Sequence, residues 1–515
     1  MKTRYSITVV LFLATYIFGC KKQLTEDPKG NLTPLNYLKT QADLDAAVAS
    51  IYAKYAVDGA YAFTNKSTSY FGADDLTTDP GLNKGDMRAF DQLNGSSTNS
   101  SMLAQWNGPW TAIYQANNVI TNYAQVNSTD DLKRKAAGQA YFLRAWGYYN
   151  LVRTFGGVPL VDKLISVNDR PPRASVGDIY NLIVSDLKIA KSWLPVSYND
   201  PKQIGRANQM AARAMLADVY LTMAGWPLKQ TANYALAASE ADTVIRSGGY
   251  TLMSNYASVF TTNNNSESVF GLQFNVGGSS PNRTYGASSV PLDEVAADGS
   301  SGWDDYYPEI NFFLNAPKCV RTDATFYTTL KLRQGSGSNV TFKLVPWNSS
   351  ETHAGHPYYK KFRAALGDGV VETATTLQSI NPSTNKTTDI IRYPLVLLDY
   401  AEAQAMSAGG PSAAAYAAIN QVRTRAGLPN LQTGLSATDF QKAVVNERAY
   451  EFAGEFGIRW FDIVRLQLLS EVIAARATTN ENPINFTGDI TQRYLAPIPQ
   501  NDMYINPSWS QNPGY

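Results

Sequence analysis

Rings and carboxylates are concentrated in the sequence WDDYY, residues 303–307, which is bounded by a glycine and a proline. A tryptophan or tyrosine ring can stack on the C–H face of a sugar, while carboxylates accept hydrogen bonds from its hydroxyl groups. No helical or strand periodicity requires a buried ring here. We therefore predict a sugar-binding site, although the rings could instead hold a long loop against the protein. The predicted contacts are Trp303, Asp304, Tyr306 and Tyr307.

Further candidate contacts lie in two other loop-like stretches. Trp347 follows the first cluster within the same irregular segment, and residues 58–105 are rich in Asp, Asn, Ser and Gly. The polar candidates in this earlier stretch are Asp74, Arg88 and Asn94. Each of these groups offers donors or acceptors that suit a sugar hydroxyl, but each could equally be an ordinary surface residue.

Catalytic and metal-binding motifs are scarce. The sequence has no Gly-x-Ser-x-Gly elbow, no Walker phosphate loop and no His-Glu-x-x-His. Its two histidines, His353 and His356, lie in ETHAGHP, where the Gly and Pro predict a solvated loop rather than a metal site. We expect no enzyme activity, no cofactor and no metal. A glycosidase needs only two well-placed carboxylates, so a membrane-anchored glycoside hydrolase remains an alternative.

The elements that must position these residues are mostly helices. Apolar residues recur at helical spacing over residues of about 40–250 and 393–476, in segments that end at Gly or Pro. Thr40 and Asp43 form a capping-box pattern at the start of the first segment. The pattern indicates a mainly α fold of tetratricopeptide-like repeats. Between them, residues of about 250–392 form a long irregular insertion with short alternating stretches at 270–274 and 340–344, which we predict as strands.

Charge and tyrosine content lead to two further expectations. Asp462 lies one turn from Arg459 and one turn from Arg465, which predicts ion pairs within a partly buried helix. The chain contains 31 tyrosines. We expect many of them near the surface, because a core prefers Leu, Ile and Val.

The N-terminus determines the expected location. Lys2 and Arg4 precede an apolar run at 7–18 that is too short to span a bilayer, which needs about 20 residues, but suits a signal peptide. Gly19 before Cys20 matches a bacterial lipoprotein cleavage site, although an ordinary signal peptide with a coincidental cysteine is the alternative. We predict a signal peptide at 1–19, a tether lipidated on Cys20 at 20–39, and a single domain at 40–515.

Charge and cysteine content limit the partners and the cross-links. Removing Lys2 and Arg4 with the signal peptide lowers the formal net charge from +1 to −1, which offers no general attraction for nucleic acid. With Cys20 lipidated, Cys319 stands alone, and we predict no intramolecular disulfide.

Five stretches, in order along nearly the whole mature chain, together resemble the SusD/RagB family of outer-membrane nutrient-binding lipoproteins. They are WNGPWTAIYQANNVI (106–120), AYFLRAWGYYNLVRTFGGVPLV (140–161), IGRANQMAARAMLADVYLTMAGW (204–226), NERAYEFAGEFGIRWFDIVRL (446–466) and LAPIPQNDMYINPSWSQNPGY (495–515). The last two stretches are the most specific.

This resemblance implies a function and a partner. It implies a non-catalytic lipoprotein at the outer surface that captures a glycan and passes it to a SusC-like TonB-dependent transporter. It also implies ligand contacts both in the 58–105 loop region and in the insertion. The competing interpretation is a repeat-type interaction protein that binds a protein or peptide and no sugar.

Overall fold

The computed structural model describes residues 38–515, apart from residues 58, 167, 275–281, 283–286, 296–300, 336–338, 340, 364–384 and 456. The predicted signal peptide, Cys20 and most of the predicted tether therefore lie outside the described residues. Within the part of the chain that the structure describes, no helix combines the length and the apolar character needed to cross a bilayer.

Amphipathic helices occupy the first half of the chain. They are α1 Gln41–Tyr55, α2 Gly85–Asp91, α3 Leu103–Asn122, α4 Asp130–Phe155, α5 Val176–Trp193, α6 Gln209–Ala224 and α7 Asn233–Arg246. The predicted capping box of α1 is confirmed, because the Thr40 side chain accepts from the Asp43 N–H and the Asp43 carboxylate accepts from the Thr40 N–H. Each of these two bonds satisfies a group that the helix end leaves unpaired.

Successive helices pack side by side. α1 packs on α3, and each helix from α3 to α7 packs on the next one along the chain. Arg144 of α4 and Asp186 of α5 form a buried bidentate ion pair with N–O distances of 2.7 and 2.8 Å. This arrangement confirms the predicted mainly α, repeat-like architecture.

The insertion contains short helices and short strands. The helices are α8 Tyr256–Val259, α9 Ile310–Leu314 and α10 Val320–Thr325. The strands are β1 Ser268–Leu272, β2 Phe326–Tyr327, β3 Thr329–Gln334, β4 Thr341–Pro346, β5 Tyr358–Tyr359 and β6 Thr388–Arg392. They pair in antiparallel fashion as β1–β6, β2–β5 and β3–β4. The prediction of short strands within an irregular insertion is confirmed.

Helices return after the insertion and complete the helical layer. They are α11 Tyr393–Ala408, α12 Ala413–Arg425, α13 Ala437–Glu451, α14 Ile458–Leu466, α15 Leu469–Ala475 and α16 Gln500–Ile505. α11 packs against α7, so the helices on the two sides of the insertion form one layer. The apolar periodicity near the end of the 393–476 region is divided between α13 and α14. Gly454 and Gly457 adopt φ values of +73° and +71°, which break it between α13 and α14.

A buried ion network fixes the insertion to this layer. Arg392, at the end of β6, donates to Glu451 (3.0 Å) and to Glu455 (2.9 Å). Arg321 of α10 donates to Glu447 (2.6 Å) and to Glu451 (3.1 Å). Buried charges require partners of this kind, and here the partners connect the insertion to α13 and its C-terminal end.

The expected Asp462–Arg465 ion pair is confirmed, whereas the expected Asp462–Arg459 pair and the expectation of many tyrosines near the surface are wrong. Asp462 pairs with Arg448 (2.7 Å) and Arg465 (2.9 Å), whereas Arg459 pairs with Asp74 from a distant loop. Many tyrosines are buried rather than near the surface. A buried tyrosine is tolerated when its hydroxyl is hydrogen-bonded, as at Tyr55, which donates to the Leu143 carbonyl at 2.8 Å.

Candidate functional site

Two loop regions that are far apart in sequence meet at one face of the protein. Thr77 donates its N–H to the Tyr307 carbonyl at 2.8 Å, and Tyr307 donates its N–H to the Thr77 carbonyl at 3.1 Å. The buried ammonium group of Lys84 pairs with the buried carboxylate of Asp305. The 58–105 region and the 303–307 cluster, which the sequence analysis selected separately, therefore pack directly against each other.

Trp303 is the aromatic residue of the 303–307 cluster that reaches solvent. It is half-buried, and its ring meets Phe63 edge-on, with centroids 6.1 Å apart and 74° between the planes. The chain is tightly held beside it, since a Cβ atom at Gly302 would lie 2.1 Å from the Val290 carbonyl oxygen. Phe63 was not selected from the sequence, because nothing near residue 63 indicates a contact with residue 303.

Tyr306 and Tyr307 do not present a ring to solvent. They are 3% and 0% exposed, respectively. Tyr306 packs 6.1 Å from the rings of both Tyr359 and Phe362, and Tyr307 packs 5.3 Å from Tyr358. Our expectation that these two rings contact a sugar is corrected here: they attach the loop to the interior, as the alternative interpretation held.

Asp304 is also buried, and its carboxylate lies beside two groups from other loops. One ligand atom each from Asp304, Asp79 and His353 lies within 4.8 Å of the others. Oδ1 of Asp304 accepts the Leu292 N–H at 2.8 Å, and Oδ2 of Asp79 bonds to Nε2 of His353 at 2.8 Å. We had placed Asp304 on a sugar-binding surface, but at 0% exposure it cannot contact a ligand there.

Burial determines the electrostatics of this group. Burial raises the pKa of Asp304 to about 7, against the opposing effect of the Leu292 N–H. The hydrogen bond to Asp79 raises the pKa of His353 above its ordinary value. His353 lies at the surface end of the group, with 45% of its side chain exposed.

The candidate residues of the 58–105 region differ in how strongly other residues hold their side chains. Asp74 is bound in a bidentate pair by Arg459, with N–O distances of 2.7 and 2.8 Å. Arg88 is half-buried and donates to the Gly81 carbonyl at 2.6 Å. Asn94 is exposed. Asp74 thus has a clear structural role, whereas Arg88 and Asn94 present polar groups near the surface.

Trp347 and His356 both pack against other parts of the chain. Trp347 is half-buried, with its ring edge-on to Phe313 at 5.7 Å. His356 is 1% exposed and bonds through Nε2 to Glu481 at 3.1 Å. The expected solvated loop is therefore wrong for His356, since a buried imidazole needs polar partners and has found them in Glu481 and the Ala354 carbonyl.

A polar cleft next to Asp74 was missed by the sequence analysis. Its volume is about 80 Å³, and it is lined by the Asp74–Arg459 pair together with Asn311, Asn446 and Tyr450. These residues come from three distant parts of the chain, so no local motif could have identified the cleft. It is open and polar, which suits water or a hydroxyl group better than an apolar ligand.

Comparison with known proteins establishes the family. The model described as the SusD family matches residues 247–515. The chain belongs to the SusD family. A second model, described as "Starch-binding associating with outer membrane", matches residues 31–221. The resemblance found in the five sequence stretches is confirmed.

SusD-like relatives align along most or all of the chain. SusD-like protein P2 of Formosa agariphila is 28% identical, covering 99% of this chain and 100% of that protein. A SusD-like protein of Bacteroides ovatus is 25% identical, covering 89% of this chain and 82% of that protein.

Solved structures of SusD-like proteins share the fold. A SusD homolog from Bacteroides thetaiotaomicron superposes with a TM-score of 0.79 at 24% identity, covering 94% of this chain and 98% of that chain. Surface glycan-binding protein A from Bacteroides uniformis superposes with a TM-score of 0.72 at 21% identity, covering 92% and 99%.

Proposed function

We propose that this protein binds a glycan or oligosaccharide at the cell surface, with Trp303 as its stacking ring. The observation that carries the proposal is the contrast within one loop. Tyr306 and Tyr307 are buried and attach the loop, while Trp303 stays half-buried against Phe63. An aromatic ring held at the surface by a fixed backbone suits a sugar face, because little conformational freedom is lost on binding.

Polar groups of the 58–105 region would contact the sugar hydroxyls. We assign Arg88 and Asn94 to this role, with Trp347 as a second ring. Asp74 contributes mainly by holding Arg459, although the cleft beside it leaves room for a hydroxyl group. The names of the relatives support this assignment, since one structural neighbour is a surface glycan-binding protein and one matching model is described as starch-binding.

The proposed role is binding without catalysis. Hydrolysis of a glycosidic bond needs two carboxylates that reach the sugar. In the Asp79–Asp304 pair, Asp304 is fully buried. This pair therefore cannot supply the acid and base of a hydrolase, and the support for a binding protein comes from the glycan-binding name of a structural neighbour.

Affinity electrophoresis tests the glycan proposal. The protein lacking residues 1–20 is run through gels that contain one polysaccharide each, from a panel of neutral and acidic glycans that includes starch and xyloglucan. We expect slower migration in at least one gel, and a loss of this retardation when the corresponding free oligosaccharide is added. Unchanged migration throughout the panel would favour the repeat-type interaction protein.

We further propose that the protein is anchored in the outer membrane through a lipid on Cys20 and delivers its ligand to a SusC-like TonB-dependent transporter. Multiple acyl chains on one residue give far firmer anchoring than one chain. Cys20→Ala should move the protein from the detergent phase to the aqueous phase in a partitioning experiment, with Cys319→Ala as the matched control.

Co-purification of a barrel protein from mildly solubilised outer membranes tests the proposed transporter partner. Recovery of the lipoprotein alone would contradict that partner.

A further inference from the structure

Three side chains whose types can bind a metal meet where three loops come together, next to Trp303 in the sequence. Asp79 belongs to the earlier loop, Asp304 follows Trp303, and His353 belongs to the segment after β4. One ligand atom of each lies within 4.8 Å of the other two, and the Asp79 and His353 atoms are 2.8 Å apart. No sequence spacing predicted this group, because its members lie in three separate segments.

A second observation points to a missing ligand. Oδ2 of Asp304 has no hydrogen-bond partner among the described residues, although the side chain is 0% exposed. The neighbouring hydroxyl groups of Tyr307 and Tyr358 are buried and lack such a partner in the described structure as well. Buried polar atoms in folded proteins are almost always paired with protein, water or an ion. The Tyr358 hydroxyl is close enough to hydrogen-bond to this carboxylate, so the Tyr307 hydroxyl and the remaining lone pairs of the carboxylate are the groups left to explain.

We propose that Asp79, Asp304 and His353 bind one divalent transition-metal ion of the Zn²⁺ class. The donor set decides the class of ion. Calcium and magnesium prefer oxygen ligands, whereas an imidazole together with carboxylates suits zinc and its neighbours. Oδ1 of Asp304 already accepts the Leu292 N–H, so we assign Oδ2 as the oxygen that binds the metal. This proposal revises our expectation that the chain binds no metal.

The geometry needs only a small adjustment. Two ligand atoms on one tetrahedral Zn²⁺ ion lie roughly 3.4 Å apart, given bonds of about 2.1 Å. The observed separations run from 2.8 Å to at most 4.8 Å, on both sides of that value. His353 is the residue that can move, because it is half-exposed. Three protein ligands would leave one position for water.

Such an ion would connect the three loops and fix the backbone on which Trp303 stands. The inference goes beyond glycan binding and does not depend on it, because the metal site can be measured without any sugar. The competing explanation is that Asp304 keeps a proton and bonds to the Tyr358 hydroxyl, which lies close enough to influence its pKa. In that case no metal is needed.

Metal binding is measured directly. The purified full-length protein in detergent is treated with EDTA, dialysed, and titrated with Zn²⁺, with bound metal counted after equilibrium dialysis. We expect one Zn²⁺ per chain and a Zn²⁺-dependent rise in melting temperature. His353→Ala should weaken binding by about tenfold or more, the scale on which metal affinity responds to changes around a site. Co²⁺ should give an absorption spectrum typical of mixed nitrogen and oxygen ligands that His353→Ala removes.

Two further variants keep the test decisive. Asp304→Asn retains an acceptor for the Leu292 N–H and should also lose the metal, while Glu351→Gln, an exposed acid two residues from His353, should bind like the wild type. If Asp304→Asn fails to fold, the half-exposed His353 still decides the question. No stoichiometric Zn²⁺ in the wild type, or binding that survives His353→Ala, would overturn the proposal.

Discussion

Arg459 of α14 holds Asp74 of the early loop through two parallel hydrogen bonds, from Nε at 2.7 Å and from Nη2 at 2.8 Å. The side chains are 13% and 18% exposed. This pair attaches the loop region of the candidate site to the C-terminal helices. A partly buried bidentate pair is stronger than an exposed one, because little water competes for its charges.

The double-mutant cycle of Asp74→Ala and Arg459→Ala should give a coupling energy of about 0.5–3 kcal/mol in the free energy of unfolding. Arg459→Lys keeps the charge but loses the fork geometry, so it should recover only part of the stability. Urea denaturation of the four proteins measures the coupling. Purely additive effects would show that the pair does not support the loop.

Asp75, next to this pair, should make stability depend on pH. Burial, followed by the charge of Asp74, raises the pKa of Asp75 to about 7, and the carboxylate accepts the Gly454 N–H at 2.7 Å. An unfolded Asp ionises near its ordinary value of 3.8. Between these two values the folded protein holds a proton that the unfolded chain has released. Asp75 therefore lowers stability progressively as pH rises from about 4 to 7.

Asp75→Asn removes this titration and keeps an acceptor for Gly454. The variant should gain stability relative to the wild type as pH rises through that window, and the difference should level off above pH of about 7. Denaturant unfolding at a series of pH values gives the result. The exposed Asp131, changed to Asn, is the control and should show no such trend. Parallel curves for wild type and Asp75→Asn would contradict the raised pKa.

Tyr306 should act on stability. Its ring is 3% exposed and packs between Tyr359 and Phe362. Tyr306→Ala should lower the free energy of unfolding by about 3–5 kcal/mol, as for other large buried aromatic rings. Tyr306→Phe, which keeps the ring, is the matched control and should lose much less. A melting temperature for Tyr306→Ala equal to that of wild type would show that the ring does not hold the loop.

Local signals predicted the helices well and the site only in part. The capping box at Thr40 and the helical periodicity predicted the helices correctly, because both depend only on residues that are close together in the sequence. The site depends on contacts between distant segments, such as Thr77 with Tyr307, which leave no trace in local spacing. Aromatic residues serve both to stack on a sugar and to attach a loop, so the residue type alone does not distinguish the two roles. Only the structure separates Trp303 from Tyr306.

The histidines illustrate the same limit. The sequence predicted a solvated loop at His353 and His356, but the two side chains bond to other segments, to Asp79 and to Glu481. Glycine and proline around them correctly indicated irregular backbone. They could not indicate the burial of His356, because it depends on residues from distant segments such as Glu481. The Asp462 prediction was right for Arg465, in the same helix, and wrong for Arg459, whose partner Asp74 lies in a distant loop.

The central claim is that Trp303 is the surface on which the glycan stacks. The most direct measurement is the calorimetric affinity of Trp303→Ala for the oligosaccharide that retards the wild type in gels, together with the melting temperature of the same sample. Loss of the ring should weaken binding by about 1–3 kcal/mol, the scale for bases stacked on aromatic side chains. The melting temperature should change little, because Trp303 is only half-buried. Unchanged affinity with a lowered melting temperature would contradict the account and make Trp303 another residue that holds the loop.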